Sequence, residues 1–317
     1  MCNLAIYIPT YNRADSVLHF IKKNIDVLVE NNIDLIIADS SDNDETKNRL
    51  NDYLKDYHNI FYTSFDSSIK PDVKVYNSFC DYLKGYDYVW LCGDTCILKL
   101  NIVIENVKAL MEARFDIIHL DDIDFYHLGN KEYRIAEQLF EDCFWRITLY
   151  GATIISKRVF PYIQNKRLLK KYEGTFFFYQ CAIMEFCAAE VFNSIHINAD
   201  FKNTYEKKKG SVWSRYVIEQ FCKLWFIAID NLPSVYDKKK KNVLKSHSHI
   251  YGLFRFKNLL QMRASGILNF KVVNENRYYI KMTVETKLLV FYFVTFIPRW
   301  FLNILYRFKD RLKKKGD

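Results

Sequence analysis

Residues 3–13 read NLAIYIPTYNR, an apolar run over Asn3–Ile8 that breaks at Pro9 into a polar loop. An apolar run with no polar alternation marks a strand covered on both faces. Directly downstream, Ala14–Asn31 sets Val17, Leu18, Ile21, Ile25, Leu28 and Val29 at helical spacing. The same succession of short apolar run and longer amphipathic stretch then repeats. Leu35–Ala38, Asn59–Thr63, Tyr88–Cys92 and Asp116–Leu120 read as strands, and Glu45–Tyr57, Val73–Leu83 and Ile102–Ala113 as helices. Strands alternating with helices predict an α/β fold, a mostly parallel sheet flanked by helices. Ligands of such sheets bind outside the carboxyl ends of the strands. The loops after Ile8, Ala38 and Cys92 are therefore where a site is expected.

The alternation weakens after Asp121. Tyr150–Ser156 reads as one more strand, and Arg158–Lys171 and Phe177–Val191 as helices. Beyond about residue 205 the pattern is mainly helical: Val212–Asp230, a break at Pro233, then the Lys238–Lys241 run. A boundary is expected there, between 1–205 and a helical C-terminal region 206–317. Charge changes sign at the same place. Residues 1–200 hold 21 Lys/Arg against 29 Asp/Glu, a net of −8; residues 201–317 hold 25 against 8, a net of +17. An acidic front suits a metal and a basic rear suits an anionic surface.

Half of the 317 residues are apolar and 17% are aromatic, which excludes a disordered chain. Eight cysteines show no CxxC pair and no Cys/His spacing for zinc. They read as reduced, mostly buried thiols of a cytosolic protein. Met1-Cys2-Asn3 runs straight into the first strand, so no leader peptide is expected. The basic rear comes without a zinc, RRM-like or helix-turn-helix signal, and a nucleic-acid partner is not expected.

Three loops carry the chemistry. Pro9-Thr10-Tyr11-Asn12-Arg13 follows the first strand, where a proline fixes the turn and leaves the next side chains free to line a pocket. Asp39-Ser40-Ser41-Asp42-Asn43-Asp44 follows the second with a carboxylate at its head. Leu91-Cys92-Gly93-Asp94-Thr95 sets Asp94 at the end of a very apolar strand, with Gly93 beside it for close approach. A carboxylate so placed suits a hard divalent cation shared with a diphosphate. Plainer readings stand beside these. Tyr11 would only pack, Asp39 would cap the helix entering at Glu45, Lys74 would be a solvated first-turn lysine, and Asp94 would be a turn residue.

IYIPTYNR (6–13), IADSSDND (37–44), VKVYNSF (73–79) and YVWLCGDT (88–95), at these strand ends and in this order, resemble bacterial family 2 glycosyltransferases of the capsule and exopolysaccharide type. The resemblance covers roughly residues 3–200 and implies a GT-A fold, with 1–205 as the nucleotide-sugar-binding catalytic domain. It implies an inverting transfer of a hexose-type sugar from a UDP-sugar to a glycan hydroxyl. Pro9, Thr10, Tyr11 and Arg13 would line the nucleotide pocket, Asp39 would hydrogen-bond the uracil, and Lys74 would approach base or phosphates. Asp94 would hold Mn²⁺ or Mg²⁺. Cys92 and Thr95 stand where the family commonly has carboxylates, so metal binding rests on Asp94 and the diphosphate. The general base stays open between Glu173 and Asp122, with Asp121 beside the latter. His196 would serve as a late metal ligand or as a half-buried strand histidine, and 207–213 as a lid or a plain loop.

Leu288–Ile297 (LLVFYFVTFI) is ten uncharged residues; Pro298, Arg299 and Asn303 interrupt the apolar run that continues to Tyr306, and a Lys/Arg-rich tail closes the chain. Basic clusters on both sides of this stretch argue against a spanning helix. Residues 287–315 are expected instead to lie in the plane of an anionic membrane as an amphipathic anchor. A peripheral place on the inner face of the cell membrane would bring the enzyme to a lipid-linked acceptor. The reading also admits a homo-oligomer.

Overall fold

The computed structural model describes residues 2–121, 128–204 and 215–313. They divide into two compact units, the first comprising 2–204 with Asn231–Asp237 and the second 215–230 with 238–313.

In the first unit ten strands form: β1 Leu4–Thr10, β2 Asp34–Asp39, β3 Ile60–Ser64, β4 Tyr88–Leu91, β5 Cys96–Leu98, β6 Ile117–Asp121, β7 Lys131–Tyr133, β8 Thr153–Ser156, β9 Ser194–Asn198 and β10 Lys202–Thr204. Eight of them make one sheet in the order β3-β2-β1-β4-β8-β6-β9-β7, while β10 pairs with β5 separately. The β3-β2-β1-β4 half is wholly parallel. β8 enters antiparallel between β4 and β6, and β7 is antiparallel to β9. The sheet is thus mixed, with its parallel half where the alternation is clearest in the sequence.

β1 has no polar alternation because both its faces are covered. Leu4, Ile6 and Ile8 pack into one cluster with Val17, Phe20, Ile21 and Leu28 of the helix Ala14–Glu30 and with Val103 and Val107 of the helix Leu100–Glu112. On the opposite face Tyr7 meets Phe79 edge-on at 6.4 Å, and its hydroxyl shares a 2.9 Å hydrogen bond with Ser78. Strand order reverses between β1 and β4, since β2 and β3 lie to one side and β4 to the other. Such a switch point leaves a crevice at the strand ends.

Several expectations are corrected. Arg158–Lys171 is not one helix: Phe160–Ile163 and Lys166–Tyr172 are separated at Asn165, whose Oδ1 caps the second by accepting from the Arg167 and Leu168 N–H groups. The helix Ala136–Ile147, absent from the sequence reading, buries Leu139, Phe140, Cys143, Phe144 and Ile147. Asn231–Asp237 belongs with the first unit, where the Tyr236 hydroxyl donates to Met184 O at 2.7 Å. The cysteines are as expected: all eight are free thiols, six of them buried.

The second unit is helical throughout its described residues. A π-helical turn, Glu219–Leu224, runs into the helix Trp225–Asp230 where one continuous helix was expected. Phe254, Leu259, Met262, Leu268, Val273, Ile280, Phe291 and Val294 form its core. Leu288–Phe296 and Arg299–Lys313 are two helices, bent by 87° where Pro298 interrupts the run.

Candidate functional site

A cleft of about 660 Å³ opens at the β1/β4 switch point. The first loop supplies Pro9, Thr10, Tyr11 and Arg13 to its lining, the third supplies Gly93, Asp94, Thr95 and Cys96, and Lys74 and Ser40 reach it from between. Of these the sequence singled out Pro9, Thr10, Tyr11, Arg13, Lys74 and Asp94 as pocket residues; Ser40, Gly93, Thr95 and Cys96 were not named as such.

The loops are tied together before any ligand arrives. Asn12 sits at φ +52°, a left-handed conformation that asparagine tolerates better than most residues. Its N–H donates to Ser41 Oγ at 2.8 Å and its Oδ1 accepts from the Asp42 N–H at 3.3 Å. The first loop is thereby clamped onto the second, and Tyr11 is left half exposed over the cleft.

Asp39 is buried and does not line the cleft. Ser41 donates to its Oδ1 twice, from N–H at 2.9 Å and from Oγ at 2.5 Å, and the Tyr62 hydroxyl donates to Oδ2 at 3.0 Å. It is not the cap of the following helix; Asn43 Oδ1 takes the Glu45 N–H instead.

Lys74 is not a solvated lysine. It is 5% exposed, and its ammonium donates to Thr10 O at 3.0 Å and Ser40 Oγ at 2.8 Å. Burial disfavours the charged form and lowers its pKa to about 8, against the opposing pull of Asp39 and Asp94. A buried ammonium held by two neutral oxygens is short of an anion.

Asp94 lies opposite. Arg13 Nη1 donates to its Oδ1 at 2.6 Å and Thr10 Oγ1 to its Oδ2 at 3.1 Å. Behind it, the position a Cβ on Gly93 would take lies 3.2 Å from Tyr150, so a side chain there would press on the cleft wall. Asp94 is the one carboxylate among the described residues that line the cleft, against Arg13, Lys74 and Lys202. Such a surplus of cations suits a diphosphate. No group of three His, Cys, Asp or Glu able to hold a metal occurs among the described residues. One carboxylate still fits a hard cation when phosphate oxygens complete its shell. Asp94 would meet that condition with Oδ1 released by Arg13, whose side chain is 40% exposed.

Glu173 does not line the cleft. It accepts from Lys70 Nζ at 2.8 Å, next to Pro71 on the rim. Asp72, which the sequence reading passed over, holds this loop: it accepts from the Gly174 N–H at 2.9 Å and the Phe176 N–H at 3.3 Å. Burial raises its pKa against those bonds. Asp122 and the 207–213 segment lie outside the described residues. Asp121 is buried and ion-paired with Arg146. His196 is a fully buried strand histidine, with Nδ1 against Gly129 O at 2.9 Å, and does not line the cleft. Lys202 has no signal in the sequence, because only the β5–β10 pairing brings it round.

No protein-family model matches the sequence, and no curated protein matches it. Solved structures do match. The mannosyltransferase PcManGT from Pyrobaculum calidifontis, in complex with GDP-Man and Mn²⁺, superposes with a TM-score of 0.53 and 14% identity over 92% of this chain and 86% of that one. Residues 1–349 of S. aureus TarS superpose at 0.52 with 10% identity, over 92% and 90%. The fold is GT-A-like. A complex of the same TarS fragment with UDP superposes at 0.50 with 8% identity, over 92% and 90%. At these identities the likeness is one of fold, and the GT-A-like cleft is read for chemistry from its own residues.

Proposed function

We propose that the GT-A-like unit is a glycosyltransferase that moves a hexose-type sugar from a UDP-sugar to a hydroxyl of a glycan, with inversion. The observation that carries this reading is the cleft at the β1/β4 switch point, where Lys74 is buried and short of an anion. PcManGT and TarS, bound to GDP-Man and UDP, lend support through the shared fold. The resemblance of the loops to family 2 members of the capsule type points the same way, with a lipid-linked acceptor.

Half-exposed Tyr11 offers its ring to the uracil. Asp39, buried behind the cleft lining, would reach the base edge only by exchanging the Ser41 hydroxyl at Oδ1 for a uracil N–H. Lys74, pre-set by Thr10 O and Ser40 Oγ, gives its remaining N–H to a phosphate oxygen, and Arg13 turns from Asp94 to the diphosphate. Asp94 would hold a divalent cation, which when bound offsets negative charge on the departing UDP. A positioned carboxylate must take the acceptor proton. Glu173 on the rim is one candidate and Asp122 the other. The full engagement of Asp94 by Arg13 and Thr10 favours one second reading, a non-catalytic subunit that binds nucleotide-sugars.

A donor panel separates the two. The protein is incubated with UDP-Glc, UDP-Gal, UDP-GlcNAc, UDP-GalNAc and a GDP-sugar, with Mn²⁺ or EDTA, and released nucleotide is measured. Metal-dependent release from one UDP-sugar, lost in Asp94→Ala and reduced in Glu173→Gln, is expected. Calorimetry showing binding without release in the presence of diverse glycan acceptors supports the subunit reading; no binding at all overturns both.

A further inference from the structure

The helix Leu288–Phe296 reads LLVFYFVTF and carries no charge. Phe291 and Val294 fill the core of the second unit, with Thr295 beside them. The opposite side is just as apolar and faces out: Leu289 is 78% exposed, Phe293 61% and Phe296 74%. A helix apolar all round is normally covered all round. The bare face continues past the bend through Trp300, 66% exposed, and then Phe301, Ile304 and Leu305. Together these side chains bare on the order of 800 Å², from about 150–250 Å² per aromatic ring. The largest apolar patch of an ordinary monomer is roughly 300–600 Å².

The bend is built into the unit. Pro298 lacks an N–H and cannot continue the first helix. Arg263 Nε donates to Ile297 O at 2.9 Å, which fixes the chain as it turns. The outcome is an elbow with Phe296 and Trp300 on either side of Pro298. No single helix among the described residues is long and apolar enough to cross a bilayer; Leu288–Phe296 and Arg299–Tyr306 reach that length only as a pair bent by 87°. The nine residues of Leu288–Phe296 extend about 14 Å, half of a hydrocarbon core of about 30 Å.

Charge chooses what covers this face. In sequence, residues 287–317 carry Lys287, Arg299, Arg307, Lys309, Arg311, Lys313, Lys314 and Lys315 against Asp310 and Asp317, which is 8 − 2 = +6. A second copy would bring the same positive segment against itself, whereas anionic lipid supplies the opposite sign. Tryptophan beside a basic cluster also matches the chemistry of the bilayer interface. We infer that the elbow formed by Leu288–Phe296 and Arg299–Lys313 inserts its Leu289, Phe293, Phe296 and Trp300 face into the surface of an anionic bilayer. This stands apart from the transfer reaction and is tested without it.

The test is sedimentation of the full chain with vesicles of phosphatidylcholine alone or mixed with phosphatidylglycerol. Binding to the mixed vesicles, weakened by salt, is expected. Phe296→Ser and Trp300→Ser should each weaken it roughly tenfold, while thermal melting stays that of the parent because both side chains are exposed. Trp90, Trp145 and Trp225 are buried and Trp213 lies outside the described residues, so in a Trp213→Phe background brominated lipid should quench the protein that keeps Trp300 far more than Trp300→Phe at equal binding. No binding to mixed vesicles, equal binding to both kinds, or quenching unchanged in Trp300→Phe overturns the proposal. So does a dimer in sedimentation velocity that Phe296→Ser dissolves while vesicles bind neither protein.

Discussion

Replacing Lys74 with methionine should make the protein more stable and worse at binding a nucleoside diphosphate. The folded protein holds the Lys74 pKa at about 8 against 10.5 for a free lysine. The charged form is therefore disfavoured by folding. The penalty is absent above pH 10.5, grows as pH falls, and is fully present below pH 8, where it reaches about 3 kcal/mol. Methionine has a similar reach and no charge. It orphans no acceptor, since Thr10 O keeps the Ser40 N–H at 3.1 Å. Losing the two ammonium hydrogen bonds returns about 1 kcal/mol or more of that gain. A net gain of about 1–2 kcal/mol remains, a rise in Tm of roughly 2–6 °C for a chain of this size. Binding moves the other way: one charge-assisted contact to phosphate is worth about 2–3 kcal/mol, so UDP affinity should fall roughly 30- to 150-fold. Because an anion beside Lys74 raises its pKa, the parent should take up a proton on binding UDP between pH 8 and 10, and Lys74→Met should not. Calorimetry in buffers of different ionisation enthalpy reads that proton directly. A Lys74→Met protein that is less stable than the parent and binds UDP equally well would refute the reasoning, and Lys74 would be a strut between β1 and β2.

Three further outcomes are expected. Asp39→Ala should weaken UDP binding about tenfold, because it removes the oxygen that would accept a uracil N–H; unchanged affinity in calorimetry would confine Asp39 to holding Ser41 and Tyr62. Arg13→Gln removes a cation 2.6 Å from Asp94. It should tighten Mn²⁺ binding to the UDP-loaded protein roughly tenfold in a paramagnetic titration, while weakening UDP alone; weaker Mn²⁺ binding would mean that Asp94 does not hold the cation. His247 lies buried among Phe221, Trp225 and Phe254, where burial lowers its pKa to about 3. An unfolded histidine takes its proton near 6.5, so stability is full above that pH and drains as pH falls towards 3, by about 2 kcal/mol between pH 7 and 5. Chemical denaturation at the two pH values should show the loss in the parent, and His247→Leu should abolish most of it.

The parallel half of the sheet was legible because β1, β2 and β4 are buried on both faces, which suppresses polar alternation and leaves runs such as LAIYI and YVWL. Legibility failed where that physics changes. β5, β7 and β10 are three residues each, too short for any period to register. The helix Ala136–Ile147 carries polar residues through its exposed positions and a buried Arg146, so its pattern reads as irregular until Leu139, Phe140, Cys143 and Phe144 are seen to share one face. Leu288–Phe296 was legible only in part. Its uniform apolarity, read with the interruption at Pro298, suggested a surface anchor, and did not show that Pro298 bends the chain by 87° or that Phe291 and Val294 on one side of the helix are core.

The site was legible as positions and not as partnerships. Strand ends could be read from sequence, and with them Pro9, Thr10, Arg13 and Asp94 on one cleft. That Arg13 pairs with Asp94 across 81 residues could not, because pairing is decided by which strands become neighbours. A sheet that runs β2-β1-β4 places the two loops side by side. The same neighbourhood explains Lys74. Its burial comes from the first turn of the helix Pro71–Asp81 sitting over the ends of β1 and β2, where Thr10 O and Ser40 Oγ take the ammonium. In the free cleft each charge is held by something weaker than what a nucleoside diphosphate and a cation would offer: Arg13 by a single carboxylate, Lys74 by two neutral oxygens. Binding a nucleoside diphosphate would then be an exchange of partners, in which Arg13 gives up Asp94 and Lys74 gains the anion that its two neutral oxygens do not supply.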